Sequence, residues 1–173
     1  MALERRSQHK GRPRANERIS GEPDDDIDHQ GVIGELALRR FLSIDDDDPE
    51  NPWVADGPDP GWDVVWRGLK IDVKTSKGDR AKNLLIADYK RLVADAYVPV
   101  VLGKYFSWKP RPPPDHVWPP DAQIMGCISR HRFEQTCKIR TFNRDRGARR
   151  VITSKYVPYD ELADIWRLWE YWP

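Results

Sequence analysis

The stretch Asp63-Val-Val-Trp-Arg-Gly-Leu-Lys-Ile-Asp-Val-Lys74 constrains the fold more than any other part of the chain. Apolar and polar residues alternate on both sides of Gly68, the pattern of two strands joined by a tight turn. A two-residue turn at Arg67-Gly68, or a four-residue loop in the same register, pairs Trp66 with Leu69 and Val64 with Ile71. Asp63 then faces Asp72. On the second strand, Ile71, Val73 and Thr75 share one side and Asp72 and Lys74 the other. Facing Cβ atoms in such a pair lie about 4.5–5.5 Å apart, where like charges repel. A cation between the carboxylates relieves that repulsion, and hard divalent ions such as Mg²⁺ take oxygen ligands of this kind. Lys74 adds a positive charge suited to an attacking water or a phosphate oxygen, so the group suits metal-assisted phosphodiester hydrolysis. Two alternatives stay open. A three-residue loop with a glycine bulge shifts the pairing by one residue, and an ordinary surface hairpin lets Asp72 and Lys74 neutralise each other.

Upstream, Gly31-Val-Ile-Gly-Glu-Leu-Ala-Leu-Arg-Arg-Phe-Leu42 reads as a helix. Its apolar residues cover most of the circumference, which predicts deep burial. Glu35 shares a face with Leu38 and Leu42, and a carboxylate on an apolar stripe is costly unless paired or bound to metal. Arg39, one turn on, is the plain alternative partner, in a pair worth a few tenths of a kcal/mol. Gly31 and Gly34 flank Glu35 and admit the close approach of another backbone or a phosphate.

A helix bearing Glu, an Asp opening a hairpin strand, and (Asp/Glu)-x-Lys on the next strand together resemble the PD-(D/E)XK nuclease superfamily. Here they are Glu35, Asp63 and Asp72-Val73-Lys74. The order is most similar to small phage-encoded nucleases and, more distantly, to Holliday-junction resolvases, and it covers roughly residues 28–104. Trp62 stands where the family often has proline, and the literal Pro58-Asp59 lies in a loop ahead of the strand. The resemblance implies an α/β fold with a central mixed β-sheet flanked by helices, restriction-endonuclease-like. It also implies a DNA-cleaving, Mg²⁺-dependent enzyme that accepts Mn²⁺. Glu35, Asp63, Asp72 and the Val73 carbonyl would hold the metal, and Lys74 would orient the water.

The remaining chain supplies candidate contacts. The length suggests one domain, residues 28–173, behind a disordered charged arm at 1–27. Net charge is +1, but its distribution is uneven: Arg5, Arg6, Lys10, Arg12, Arg14 and Arg18 crowd the start, whereas Asp24–Asp28 and Asp45–Asp48 are acidic runs. Lys77, Arg80 and Lys82 follow the hairpin. Lys138, Arg140, Arg144, Arg146, Arg149 and Arg150 set six basic residues against Asp145, the best candidate for binding nucleic-acid phosphates. Between them, residues 105–121 form a proline-rich insertion whose Trp108, Lys109, Arg111, His116 and Trp118 either clamp nucleic acid or pack as a rigid loop. Strands are expected at 84–86, 97–102, 123–129 and 151–156, with a short helix at 130–137. Asp95 reads as a turn residue.

Pro158 is expected to open a final helix with Leu162, Ile165, Trp166 and Trp169 as one stripe, either core or a homodimer face. Cys127 and Cys137 have no ligand spacing, which argues for reduced thiols, no zinc and a cytoplasmic setting, in the host cytoplasm if phage-encoded. His9, His29, His116 and His131 show no ligand pattern. No run is apolar enough to span a membrane. Two other functions fit the same residues. One is a non-catalytic nucleic-acid-binding module on the same fold. The other is a protein-interaction factor that uses the tryptophan-rich C-terminal segment.

Overall fold

The computed structural model describes residues 24–45, 47–51, 60–78, 81–88, 90–103, 122–143 and 151–171. Its elements are α1 (Asp24–Phe41), β1 (Val64–Trp66), β2 (Leu69–Lys77), β3 (Asn83–Ala87), β4 (Ala96–Leu102), β5 (Ala122–Ile124), β6 (Ile128–Ser129), α2 (Arg130–Thr136), β7 (Lys138–Asn143) and β8 (Val151–Pro158). Two short 3-10 segments, Tyr159–Glu161 and Ile165–Tyr171, follow. The class is α/β, as expected, with a mixed sheet flanked by helices. In that sheet the order is β1-β2-β4-β5, and β6 also pairs with β4. β1 and β2 are antiparallel, β2 and β4 parallel. A second sheet, β3-β8-β7, is antiparallel throughout.

The hairpin has the anticipated register: Val64 opposes Ile71 and Trp66 opposes Leu69. Arg67 and Gly68 both have positive φ, 52° and 81°, the signature of a type I′ turn whose twist matches the flanking strands. The three-residue bulged loop is therefore excluded. The outer edge of β1 is occupied by a side chain. Asn51 Oδ1 accepts the Val65 N–H at 2.6 Å, and Asn51 Nδ2 donates to the Val65 carbonyl at 2.7 Å. Asn51 is itself held by Arg39, which is buried in α1 and donates to the Asn51 carbonyl.

Alternation along β4 separates two cores. Ala96, Val98, Val100 and Leu102 join Ile33, Leu38, Ile71 and Val73 beneath α1. Tyr97 faces the other way, into a cluster with Leu84, Ile86, Phe133 and Val157. The close approach of α1 to β2 depends on Gly34: a Cβ there would lie 1.9 Å from Thr75 Oγ1. What this glycine admits is a strand side chain, where another backbone or a phosphate was expected.

Several boundaries differ from expectation. Residues 24–27, assigned to the arm, are the first turn of α1, while 1–23 lie outside the described residues. The strand expected at 123–129 is two strands, interrupted where Gly126 adopts φ 130° against the Ala163 carbonyl. The proline-rich insertion lies outside the described residues.

The largest correction concerns the C-terminus. β8 runs through Pro158, and among the described residues no amphipathic α-helix follows. Cys127 and Ala163 instead form a β-bridge with reciprocal backbone hydrogen bonds of 2.9 Å, and the chain continues as a 3-10 segment. At three residues per turn, Ile165, Leu168 and Tyr171 share the inner side and Trp166 and Trp169 the outer one. Leu168 is buried in the first core, with Ile165 and Tyr171 packed against it.

Candidate functional site

The four residues singled out by sequence converge. Glu35 from α1, Asp63 at the entrance to β1, and Asp72 and Lys74 on β2 line one pocket of about 470 Å³, with Val73, Tyr97, Lys90 and Arg91 among its other walls. Glu35 and Asp72 are buried. The Asp63 carboxylate accepts the Val73 N–H at 2.7 Å. Its pKa is raised well above the usual carboxylate range. Burial is the largest cause, followed by the Glu35 and Asp72 carboxylates, against which Lys74 acts in the opposite sense. A hydrogen bond between the Asp63 and Asp72 side chains further favours the protonated form. Lys74 is ion-paired to Asp72 Oδ1.

Lys74 neutralises Asp72, the pairing first set down as the plain alternative, and the surroundings of Asp63 favour its protonated form. Among the described residues, no three His, Cys, Asp or Glu side chains are grouped so that they could hold a metal ion. The expectation of a Mg²⁺ or Mn²⁺ centre built on Glu35, Asp63, Asp72 and Val73 is thereby overturned. The metal-dependent nuclease activity inferred from it falls with it. What sequence alone could not supply is the ion pair between Lys74 and Asp72.

Of the basic residues proposed for nucleic acid, Lys77, Lys82, Lys138 and Arg140 are among the described residues. Lys77 ends β2 and Lys82 precedes β3, in different sheets, while Arg80 lies outside the described residues. Lys138 and Arg140 are exposed on β7, but Lys138 is bonded to Glu161 at 2.7 Å. Arg144, Arg146, Arg149 and Arg150 lie outside the described residues. Asp95 has the structural role anticipated for it: its carboxylate accepts the Lys70 N–H at 3.0 Å. Cys127 and Cys137 are free thiols.

A second surface was only half visible in the sequence. Trp166 and Trp169, placed in an α-helical stripe, stand outward, 62% and 47% exposed. Each is seated on another aromatic ring. Trp166 lies 4.9 Å from Phe41 at the end of α1, and Trp169 meets Trp66 edge-on at 4.8 Å. Arg67, from the hairpin turn, places its guanidinium over Trp169 at 3.9 Å and over Trp66 at 5.2 Å. Trp66 and Arg67 also line an adjoining cleft of about 590 Å³ walled by Ile44, Asp45, Asp47, Asp48 and Glu50. The recurrence of Trp at i and i+3 was the available signal; the 3-10 period needed to read it was not.

Fold and surface together define an α/β domain with an acid pocket and an exposed aromatic platform. The chain belongs to the DUF5843 family, a family of unknown function, whose model matches residues 1–171. No curated protein and no solved structure matches it. No described helix is long and apolar enough to cross a membrane.

Proposed function

We propose that this chain is a protein-interaction factor whose binding surface is the platform of Trp166 and Trp169. The observation that carries this reading is the exposure of two tryptophans already fixed by packing on Phe41 and Trp66. Large aromatic side chains bury much area at little entropic cost when they are held in place beforehand, and such residues dominate protein interfaces. The nucleic-acid-binding alternative has less support, because the ion pair with Glu161 already offsets Lys138. We read the scaffold as restriction-endonuclease-like, on the order of the Glu35 helix, the Asp63 hairpin and Asp72-Val73-Lys74. On this reading the pocket stabilises the domain and binding occurs elsewhere.

The test compares the intact protein with Trp166→Ser and Trp169→Ser as baits in extracts of the source cells, with captured proteins identified and then purified. A defined partner held by the parent protein, and bound at least about tenfold more weakly by each variant, is the expected result. Identical captures by all three baits, in equal amount, would refute the platform.

A further inference from the structure

The cleft beside the platform carries an acidic rim. Asp45, Asp47 and Glu50 are exposed along it, and among the described residues none of the three forms an ion pair. Other acids close by are engaged locally. Asp48 accepts the Glu50 N–H at 2.9 Å and the Asn51 amide at 3.1 Å. Asp164 accepts the Trp166 backbone N–H at 3.0 Å, and Glu170 pairs with Arg167 at 2.8 Å. A rim of uncompensated carboxylates repels phosphate-bearing surfaces, nucleic acid and anionic membranes alike, and draws in a cationic chain.

The platform itself shows which cation suits it. Arg67, on the wall of the same cleft, holds its guanidinium over Trp169 at 3.9 Å. Trp166 is more exposed, at 62%, and among the described residues no cation lies over it. A guanidinium is planar and weakly hydrated, so it stacks on indole better than an ammonium does, and its fork of donors matches a carboxylate. The half-buried Leu42 and Ile44 line the cleft and suit the methylene stem of such a side chain. Spacing also agrees. Asp45 follows Phe41, the ring beneath Trp166, by four residues, which sets their Cα atoms at most about 14 Å apart. In an extended peptide, residues four apart project from the same face about 13 Å from each other. One segment can therefore lay one arginine on Trp166 and present the next to the rim.

We infer that the occupant of this surface is an arginine-bearing, extended segment of another protein, stacked on Trp166 and paired with Asp45, Asp47 and Glu50. This inference rests on the platform reading and names the chemistry of the partner. Its electrostatic part is screened as salt rises, while the stacking on the indole persists.

Fluorescence anisotropy on the intact protein tests it, with a dye-labelled, end-capped peptide that carries arginine at every fourth position among serines and glycines. Copies with lysine or citrulline in place of arginine separate charge from shape. The arginine peptide should bind at physiological salt, the lysine peptide about threefold more weakly and the citrulline peptide at least about tenfold more weakly. Trp166→Ser and the rim variant Asp45→Asn/Asp47→Asn/Glu50→Gln should each weaken the arginine peptide at least about tenfold. Asp88→Asn/Glu134→Gln/Asp160→Asn removes as much charge from exposed positions outside the cleft and should change binding less than about twofold. No binding of the arginine peptide, equal binding of the citrulline peptide, or an equal loss in the remote variant would overturn the inference. So would a dimer that the rim variant dissolves, which would make a second copy the occupant. Single-stranded DNA bound more weakly by Trp166→Ser would overturn it in favour of nucleic acid. If the arginine peptide fails while Trp166→Ser and Trp169→Ser still lose a partner from extracts, the chemistry is wrong and the platform stands. If the peptide depends on the rim but binds both tryptophan variants as it binds the parent protein, the platform reading is the one that fails.

Discussion

The Arg67 guanidinium lies 3.9 Å from the centre of the Trp169 ring, and the residue that makes this contact occupies a left-handed backbone position, φ 52°, in a two-residue turn. Arginine is a poor choice for that position and asparagine a good one. The stacking contact is worth about 0.5–1 kcal/mol at an exposed site. Relief of the turn strain is worth about 1–2 kcal/mol. Arg67→Asn should therefore leave stability unchanged or raise it by up to about 1 kcal/mol, while increasing the exposure of Trp169. Urea unfolding with tryptophan emission as the probe measures both. A loss of 2 kcal/mol or more, on the order of a buried-contact mutation, would mean that the contact does more than cover a ring.

The two faces of the last 3-10 segment should respond in opposite ways. Leu168 is 1% exposed, and Leu168→Ala should cost about 2–4 kcal/mol through the cavity it leaves. Trp166→Ala should cost much less, about 1 kcal/mol, because most of that side chain is already in water. A larger cost at Trp166 than at Leu168 would restore the α-helical stripe first expected.

Gly34→Ala should destabilise by about 1–3 kcal/mol, since the added methyl collides with Thr75 and α1 must move away from β2. In a Thr75→Ala background the same substitution should cost clearly less. Equal costs in the two backgrounds, from thermal or urea denaturation, would show that the clash is not with Thr75.

Asp63 sets a pH dependence whose sign is fixed by the direction of its shift. Its folded pKa lies above the unfolded carboxyl value of about 3.9, so the folded state binds more protons over the interval between them. Its stabilising contribution is whole below the unfolded value and is lost as pH rises through the folded one. Asp63→Asn reproduces the protonated carboxyl: its oxygen can accept the Val73 N–H and its amide can donate to Asp72. The variant should gain stability relative to the parent protein on going from pH 4 to pH 8, as read by melting temperature across that range. A relative loss over the same interval would reverse the assigned shift.

What could be read from sequence was local. The hairpin register followed from a period of two and from Gly68, and both are properties of about a dozen adjacent residues. The pocket's membership was also legible, because strand pairing sets Asp63 against Asp72 and helix periodicity turns Glu35 inward. The relief of their repulsion was not legible. It depends on the groups that surround Asp63 and on Lys74 reaching Asp72, which the tertiary arrangement determines. The C-terminal segment was misread for a similar reason. Its spacing fits a period of 3.6 as well as 3.0, and the bridge between Cys127 and Ala163 that precedes it joins residues far apart in sequence. Likewise β3 and β8 were recognisable as strands, whereas β7 was read only as a basic segment, and nothing nearby in the chain reveals that the three form a separate sheet.

One side chain terminates the main sheet. An open strand edge is a template on which any other extended chain can extend the sheet, and proteins protect such edges in several ways. Asn51 does so by presenting its carboxamide to Val65 as a counterfeit peptide group, with donor and acceptor both matched. At that position the sheet has nothing left to offer an incoming strand. Removing the carboxamide, as in Asn51→Leu, would reopen a hydrogen-bonding edge beside two exposed tryptophans and leave a protein inclined to aggregate.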